Sequence, residues 1–284
     1  MSLMAAMAYS LSVVLVRKNL ADSSVINAAL VISSTGNFIL WPLAILSVNL
    51  TKANLEAVLL FAIAGLLAPG ISRLLYYKGM EFLGVSTNAS VLSTYPLYTL
   101  IFAVLFLGEV VFPLDLIGIA CIIVGVMLLE KSLGVTETKK RGFLSRGLKL
   151  PLLAAFLVAV SHIVRKLGLS IYNEPPLGVA VGYAFSFFIY AVLGIFSNAT
   201  ERTSSLKRDF RLFWRPGVGL SLGWILTFYA LSYEKVSIVT SLIQTEPLFV
   251  ILFTSIYLRE LERISFRLIT SAVVVFLGIV LICV

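Results

Sequence analysis

Charge is what this sequence has least of. Only 13% of its 284 residues are Asp, Glu, Lys or Arg, where a soluble domain carries about 25%. With 60% hydrophobic residues and a mean hydropathy of +1.03, the chain has too much apolar surface to keep from water by folding on itself. A soluble domain is therefore excluded, and lipid is the expected solvent. Long polar stretches are missing as well. The two longest, KSLGVTETKKRGFLSRGLK and NATERTSSLKRDFRLFWR, are too short for a soluble domain, so no catalytic head is expected. Cysteine is scarce: Cys121 and Cys283 both fall in apolar runs, which suits small packing residues and provides no metal or redox spacing. His162 is the only histidine, and no Cys, Asp or Glu accompanies it at ligand spacing. It either makes one hydrogen bond as a neutral ring or carries a proton; no catalytic role is expected of it. No phosphate-binding loop and no Ser-His-Asp pattern occurs, so neither ATP-driven movement nor a metal or other cofactor is expected.

What the sequence has in abundance is apolar runs long enough to cross a bilayer, about 20 residues each. Ten segments qualify: 2–18, 25–48, 56–78, 86–107, 112–130, 150–166, 177–197, 216–233, 236–258 and 265–283. LIGIACIIVGVMLL is apolar throughout, whereas a barrel strand would alternate, so the spans are helices. The first run has no basic residue before it, Arg17 and Lys18 following it, and so reads as a span rather than a cleavable leader. The net charge of +8 follows from the loops. With ten spans, 17 Lys and Arg fall in the odd-numbered loops and four, Lys52, Arg165, Lys166 and Lys235, in the even ones; Arg73 lies within a span. Basic loops stay in the cytoplasm. The odd loops are thus expected inside and both termini outside, and the charge reports topology rather than a nucleic-acid partner. On that topology the acceptor pattern Asn198-Ala199-Thr200 faces the cytoplasm, where it would not be glycosylated.

The chain also repeats itself. VLVRKNL at 14–20 resembles HIVRKLGL at 162–169, and residues 76–109 align without a gap on 227–260 at an offset of 151. That register pairs Pro96 with Pro247 and Glu109 with Glu260. Each half then holds five spans, and an odd number repeated in tandem must enter the membrane from opposite sides. The expected fold is an all-α integral membrane protein of ten transmembrane helices built as two inverted five-helix repeats, 1–131 and 150–284, joined by a basic loop at 132–149. Secondary transporters use this architecture. The motifs YPLYTLIFAVLFLGE and EPLFVILFTSIYLRE, one in each half, resemble the EamA-type permeases of the drug/metabolite transporter superfamily. The resemblance covers nearly the whole chain. It implies a central cavity between the halves and movement of small solutes: amino acids, other metabolites or sugar-linked compounds. The chain departs from the family in two respects. Tyr9 is the nearest residue to the tryptophan usual in the first span, and the family's termini are usually cytoplasmic.

Polar residues inside the spans are the candidate site. Glu246 precedes Pro247, which has no amide hydrogen and so leaves a helix carbonyl free. An ionised carboxylate costs about 2.5–3.5 kcal/mol at the bilayer centre. Two readings stand side by side: a solute or proton site, or a structural tie between helices. Arg73 follows Pro69 and Gly70, and its counterpart across the repeat is Trp224. Its guanidinium offers a planar fork to a carboxylate or phosphate, or else snorkels to the interface near Lys78. Tyr77, Tyr95, Trp224, Tyr229 and Gln244 complete a wall suited to amphipathic solutes, with helix packing as the plainer role. Pro96, Pro247, Glu109 and Glu260 read as structural, the prolines breaking helices and the glutamates closing their ends.

The expected function is a non-ATP secondary transporter of small organic metabolites in the plasma membrane. It is read as an exporter of amino acids or related compounds working by alternating access, with protons as a candidate coupling ion. A membrane-embedded enzyme on lipid-linked substrates and a non-transporting receptor or channel are the alternatives.

Overall fold

A backbone surrounded by lipid has no water to bond to, and a helix satisfies its amides internally. The chain, seen in a computed structural model that describes residues 1–20, 23–83, 88, 91–132, 141–196, 206–246, 248–249, 252–253 and 266–283, is helical in every regular element so described. The elements are α1 (Ser2–Leu20), α2 (Val25–Ser47), α3 (Leu55–Gly65), α4 (Ser72–Leu83), α5 (Tyr95–Leu107), α6 (Pro113–Ser132), α7 (Arg141–Ile171), α8 (Pro175–Phe196), α9 (Leu206–Tyr233), α10 (Val236–Ile243) and α11 (Phe266–Cys283). A π-helical turn, Leu66–Ile71, joins α3 to α4, and a short 3-10 turn, Leu50–Lys52, follows α2. Pro247, Glu260 and the Asn198-Ala199-Thr200 pattern lie outside the described residues.

Four described segments are long and apolar enough to cross a membrane: Val25–Ser47, Leu55–Gly79, Gly147–Ile171 and Pro175–Ile195. Shorter apolar helices are Ser2–Val16, Tyr95–Leu107 and Pro113–Leu128. Side-chain caps set several helix starts. Ser24 accepts from the Asn27 amide to open α2, and Asn54 accepts from Glu56 and Ala57 to open α3. Gly108 ends α5 in the left-handed conformation at φ 63°, which glycine adopts without strain.

Helix α1 lies along α9; α2 packs on α8 and α9; α3 packs on α7 and α8, and α4 on α7. Helix α5 packs on α7 and α10, and α6 on α11. Two apolar cores result. The larger joins residues from α1 to α3, α7 to α10 and parts of α4 and α5. The smaller, Ile119, Ile122, Ile123, Val126 and Val275, belongs to the α6–α11 pair. Helices in lipid associate through close packing at small residues rather than through a hydrophobic drive. At the α3–α8 crossing, a Cβ on Gly65 would stand 2.3 Å from Gly182 Cα and O. Between α6 and α11, one on Gly278 would stand 2.6 Å from Gly118 O.

Arg165 needs correction. Counted in an even loop by sequence, it lies inside α7, which runs on to Ile171, and is 1% exposed. The apolar residues Leu167, Leu169 and Ile171 carry the helix past the charged pair. Three basic residues then remain on the even side, Lys52, Lys166 and Lys235, so the charge asymmetry sharpens.

Candidate functional site

The site is built around a break between α3 and α4, within the apolar segment Leu55–Gly79. Pro69 lacks an amide hydrogen, and Ala68 has left helical geometry at φ −147°, ψ 128°. The carbonyls freed there would be costly in lipid. Side chains of α7 and α8 meet them. Ser161 donates to Ala64 O at 2.7 Å, Ser186 to Gly65 O at 2.9 Å, and Arg165 to Ala68 O. Tyr190 donates to Pro69 O at 2.7 Å and Gly70 O at 3.0 Å.

Arg165 also anchors an aromatic stack. Its guanidinium carbon lies 4.2 Å from the Trp224 ring centroid and 5.5 Å from that of Phe228. Its Nη1 is 3.4 Å from His162 Nδ1. The His162 ring stacks between Tyr95, at 5.9 Å, and Trp224, at 6.1 Å. Tyr9 meets Trp224 edge-on at 5.8 Å and shares a 2.9 Å hydrogen bond with Thr227. Five helices, α1, α4, α5, α7 and α9, thus send aromatic or cationic groups to the middle of the molecule around Tyr9, Tyr77, Tyr95, Arg165 and Trp224.

Arg73 sits in the first turn after the break and is 9% exposed. The phenols of Tyr77, Tyr183 and Tyr190 lie within its electrostatic reach. The buried Tyr183 hydroxyl interacts with this guanidinium and with Ser221, and the Tyr190 hydroxyl reaches the same guanidinium. The Tyr183 ring is seated against Gly36, where an added Cβ would meet it at 2.2 Å.

Two further interruptions face each other. The helical run at 91–92 turns at Ser93 and Thr94 before α5, and α10 turns at Gln244 and Thr245 before Glu246. Thr94 Oγ1 donates to Val91 O, and Thr245 Oγ1 to Leu242 O, each at 2.7 Å. Gln244 Nε2 donates to Ser93 Oγ at 2.8 Å across the gap. Pro96 is not itself the break; it occupies the first turn of α5, where its missing donor costs nothing. Glu246, half-buried, lies within electrostatic reach of both Tyr77 and Tyr95, and the Tyr95 hydroxyl donates to Thr240 O at 3.2 Å.

The remaining sequence candidates lie at the helix ends. Glu109 closes the start of α10, accepting from Val236 N at 2.6 Å, Ser237 N at 3.2 Å and Ser237 Oγ at 2.7 Å. Tyr229 lines a separate cavity of about 160 Å³ with Ser47, Asn173, Glu174 and Tyr233. The structure therefore brings Tyr95 and Trp224 together through His162, sets Arg73 beside Tyr77, and places Tyr229 with the cavity. Arg165, Tyr183 and Tyr190 escaped the sequence reading, and His162 was discounted. Their spacing was the available signal: Tyr183, Ser186 and Tyr190 fall on one face of an apolar helix, as do Ser161, His162 and Arg165.

Known proteins agree with this architecture. The EamA-like transporter family matches residues 1–130 and 145–284. An uncharacterized transporter of Archaeoglobus fulgidus is 27% identical over 283 residues, covering 99% of this chain and 96% of that protein. A solved crystal structure at 12% identity superposes with a TM-score of 0.81 over 99% of this chain and 94% of the other, which shows the shared fold. The chain belongs to the EamA-like transporter family, within the drug/metabolite transporter superfamily, and is a multi-pass membrane transporter.

Proposed function

We propose that the protein is a secondary carrier of the plasma membrane that exports small organic metabolites, amino acids or related compounds, by alternating access between two inverted five-helix repeats. One observation carries this reading. Ser93 and Gln244, equivalent across the repeat at the offset of 151, are hydrogen-bonded to each other at the helix interruptions. Equivalent residues touch only where they lie close to the axis relating the halves. Interrupted helices meeting at such an axis are where carriers hold their solutes.

Helix packing supports the same relation. Exchanging each span for its counterpart five further on turns the α1–α9 contact into that of α7 with α3 and α4. The same exchange turns α2–α9 into α8–α3, and α5–α7 into α10–α1. The pairs α2–α8, α5–α10 and α6–α11 map onto themselves. In this reading Arg73 orients an anionic group of the solute. Tyr77, Tyr95 and Trp224 shape the wall, Gln244 joins the polar seam, and Glu246 takes a cationic group or exchanges a proton. Tyr229 belongs to the approach rather than the centre. Gradient coupling or exchange drives movement.

The test is uptake into proteoliposomes by Glu246→Gln. Transport, or its pH dependence, is expected to disappear while the protein retains its native size-exclusion profile. An unchanged rate and pH profile removes Glu246 from the mechanism. Trans-stimulation by solute on the far side separates a carrier from a channel or an enzyme.

A further inference from the structure

The cavity of about 160 Å³ lies at the helix ends, away from the broken helices, where the end of α2, the turn between α7 and α8 and the end of α9 meet. A cavity of about 150 Å³ is enough to hold benzene. A drug-sized ligand takes a pocket of about 300 Å³ or more. The space therefore suits a group of about six heavy atoms and excludes a larger one. Tyr233, on its rim, is 76% exposed, which leaves a way in.

The lining is rich in acceptors and short of free donors. The Ser47 hydroxyl is spent on Leu43 O and the Ser232 hydroxyl on Tyr229 O. The Glu174 amide is spent on Tyr172 O at 2.8 Å, and Pro175 and Pro176 have no amide hydrogen. The Asn173 amide and the two phenols both donate and accept, so they favour neither sign. Glu174, half-buried, is the one charged residue in the described lining. Among the described residues, no ion pair or side-chain hydrogen bond engages its carboxylate. The lysines of this end are turned to other groups. Lys166 Nζ donates to Leu231 O at 2.6 Å and Glu234 O at 2.9 Å. Lys235 Nζ donates to Val110 O at 2.7 Å and lies 5.1 Å from the Phe112 ring centroid.

We propose that this cavity binds a small organic ammonium. The Glu174 carboxylate supplies the opposite charge. Tyr229 and Tyr233, one turn apart on α9, supply aromatic surface that attracts a cation. Their rings favour an alkylated ammonium over a strongly hydrated metal ion, because alkyl groups pack on a ring and a hydration shell does not. A free quaternary ammonium and the head group of phosphatidylcholine carry the same chemistry, and a cavity at the helix ends is open to both. The site stands on this cavity and its lining, and does not depend on the carrier reading.

The experiment is thermal stability of the purified full-length protein in a maltoside detergent, which has no ammonium group. Choline and tetramethylammonium are titrated against dimethylbutanol, the neutral carbon analogue of choline, and against sodium chloride at matched ionic strength. Phosphatidylcholine is compared with phosphatidylglycerol in the same micelles, which separates the lipid source from the free one. Binding to the native state raises apparent stability with ligand concentration over Kd. At least one ammonium source is expected to raise the melting temperature. Its affinity is expected to exceed that of its uncharged or anionic counterpart at least about tenfold, a difference of about 1.4 kcal/mol. Glu174→Gln keeps the shape, removes the charge and is expected to weaken binding by the same factor. Tyr229→Phe is expected to keep the affinity and Tyr229→Leu to lose it. A merely structural tyrosine would move the unliganded melting temperature without that split in affinity. Glu174→Gln serves if Tyr229→Leu does not fold. An equal response to dimethylbutanol or sodium overturns the proposal, as do an unchanged affinity in Glu174→Gln and no response to any ammonium probe. The carrier reading is tested by transport and stands or falls separately.

Discussion

Arg165 is the residue whose removal the structure makes easiest to interpret. Its guanidinium meets the Ala68 carbonyl, the His162 ring and the Trp224 face. In Arg165→Met the aliphatic bulk remains, but Ala68 O loses the donor that Arg165 supplies and keeps only the long 3.3 Å bond from Ser161 Oγ. A poorly met buried acceptor costs up to about 1–3 kcal/mol. A lowered melting temperature in detergent is therefore expected, smaller in Arg165→Lys; an unaltered melting temperature would mean that the carbonyl has found another donor. Sequence placed this residue in a loop because a basic pair beside an apolar run resembles a membrane boundary. The run after it, LGLSI, is too short to signal its own burial. Arg73 was visible because Pro69 and Gly70 precede it and because its counterpart is a tryptophan. Tyr183 and Tyr190 were not, since an isolated tyrosine in an apolar helix looks the same whether it anchors a lipid interface or bonds a broken backbone.

Among the elements, the crossing of α3 and α8 gives an asymmetric prediction. A methyl on Gly65 would collide with Gly182 Cα and O at 2.3 Å, and backbone cannot step aside as a side-chain tip can. A methyl on Gly182 meets nothing nearer than Gly65 Cα at 3.5 Å, an ordinary contact. Gly65→Ala is thus expected to lower thermal stability and expression, and Gly182→Ala to leave both near the parent value. Equal effects from the two would show that the helices do not approach as closely as described. Most elements were legible from hydropathy, as was the weak point at Pro69 and Gly70. The turn before α5 was expected at Pro96 and falls at Ser93 and Thr94 instead. A proline marks where a helix starts more reliably than where the preceding one stops. The span ends were less legible: α7 reaches back to Arg141 and α9 to Leu206, since a helix continues into the polar zone as long as its own hydrogen bonds are met.

For the whole molecule, which loops share a side of the membrane follows from which ends gather together. Tyr172 OH bonds Asn49 O, Lys166 Nζ bonds Leu231 O and Glu234 O, and Lys235 Nζ bonds Val110 O. At the other end, Ser23 and Asn27 hold Asp209. We predict that single cysteines replacing Lys52 and Lys139 are labelled by an impermeant thiol reagent from opposite faces of intact cells, position 52 from outside. Labelling of position 139 from outside would reverse the orientation drawn from the basic loops. The offset alignment suggests a duplication, but how the helices interleave was not legible, because no periodicity records which helix lies beside which.

The stapled break between α3 and α4 bears on how the proposed carrier would change shape. Its carbonyls are held by Ser161 and Arg165 of α7 and by Ser186 and Tyr190 of α8, donors from the other half of the chain. Sliding one sequence half past the other would tear these bonds away at lipid depth, where each unmet group costs several kcal/mol. Opening and closing would be cheaper if α3, α4, α7 and α8 travelled as one body. The moving parts of the proposed carrier would then be interlocked across the two sequence halves, like the fingers of two clasped hands, and the line of articulation would run between them rather than along the join of the halves.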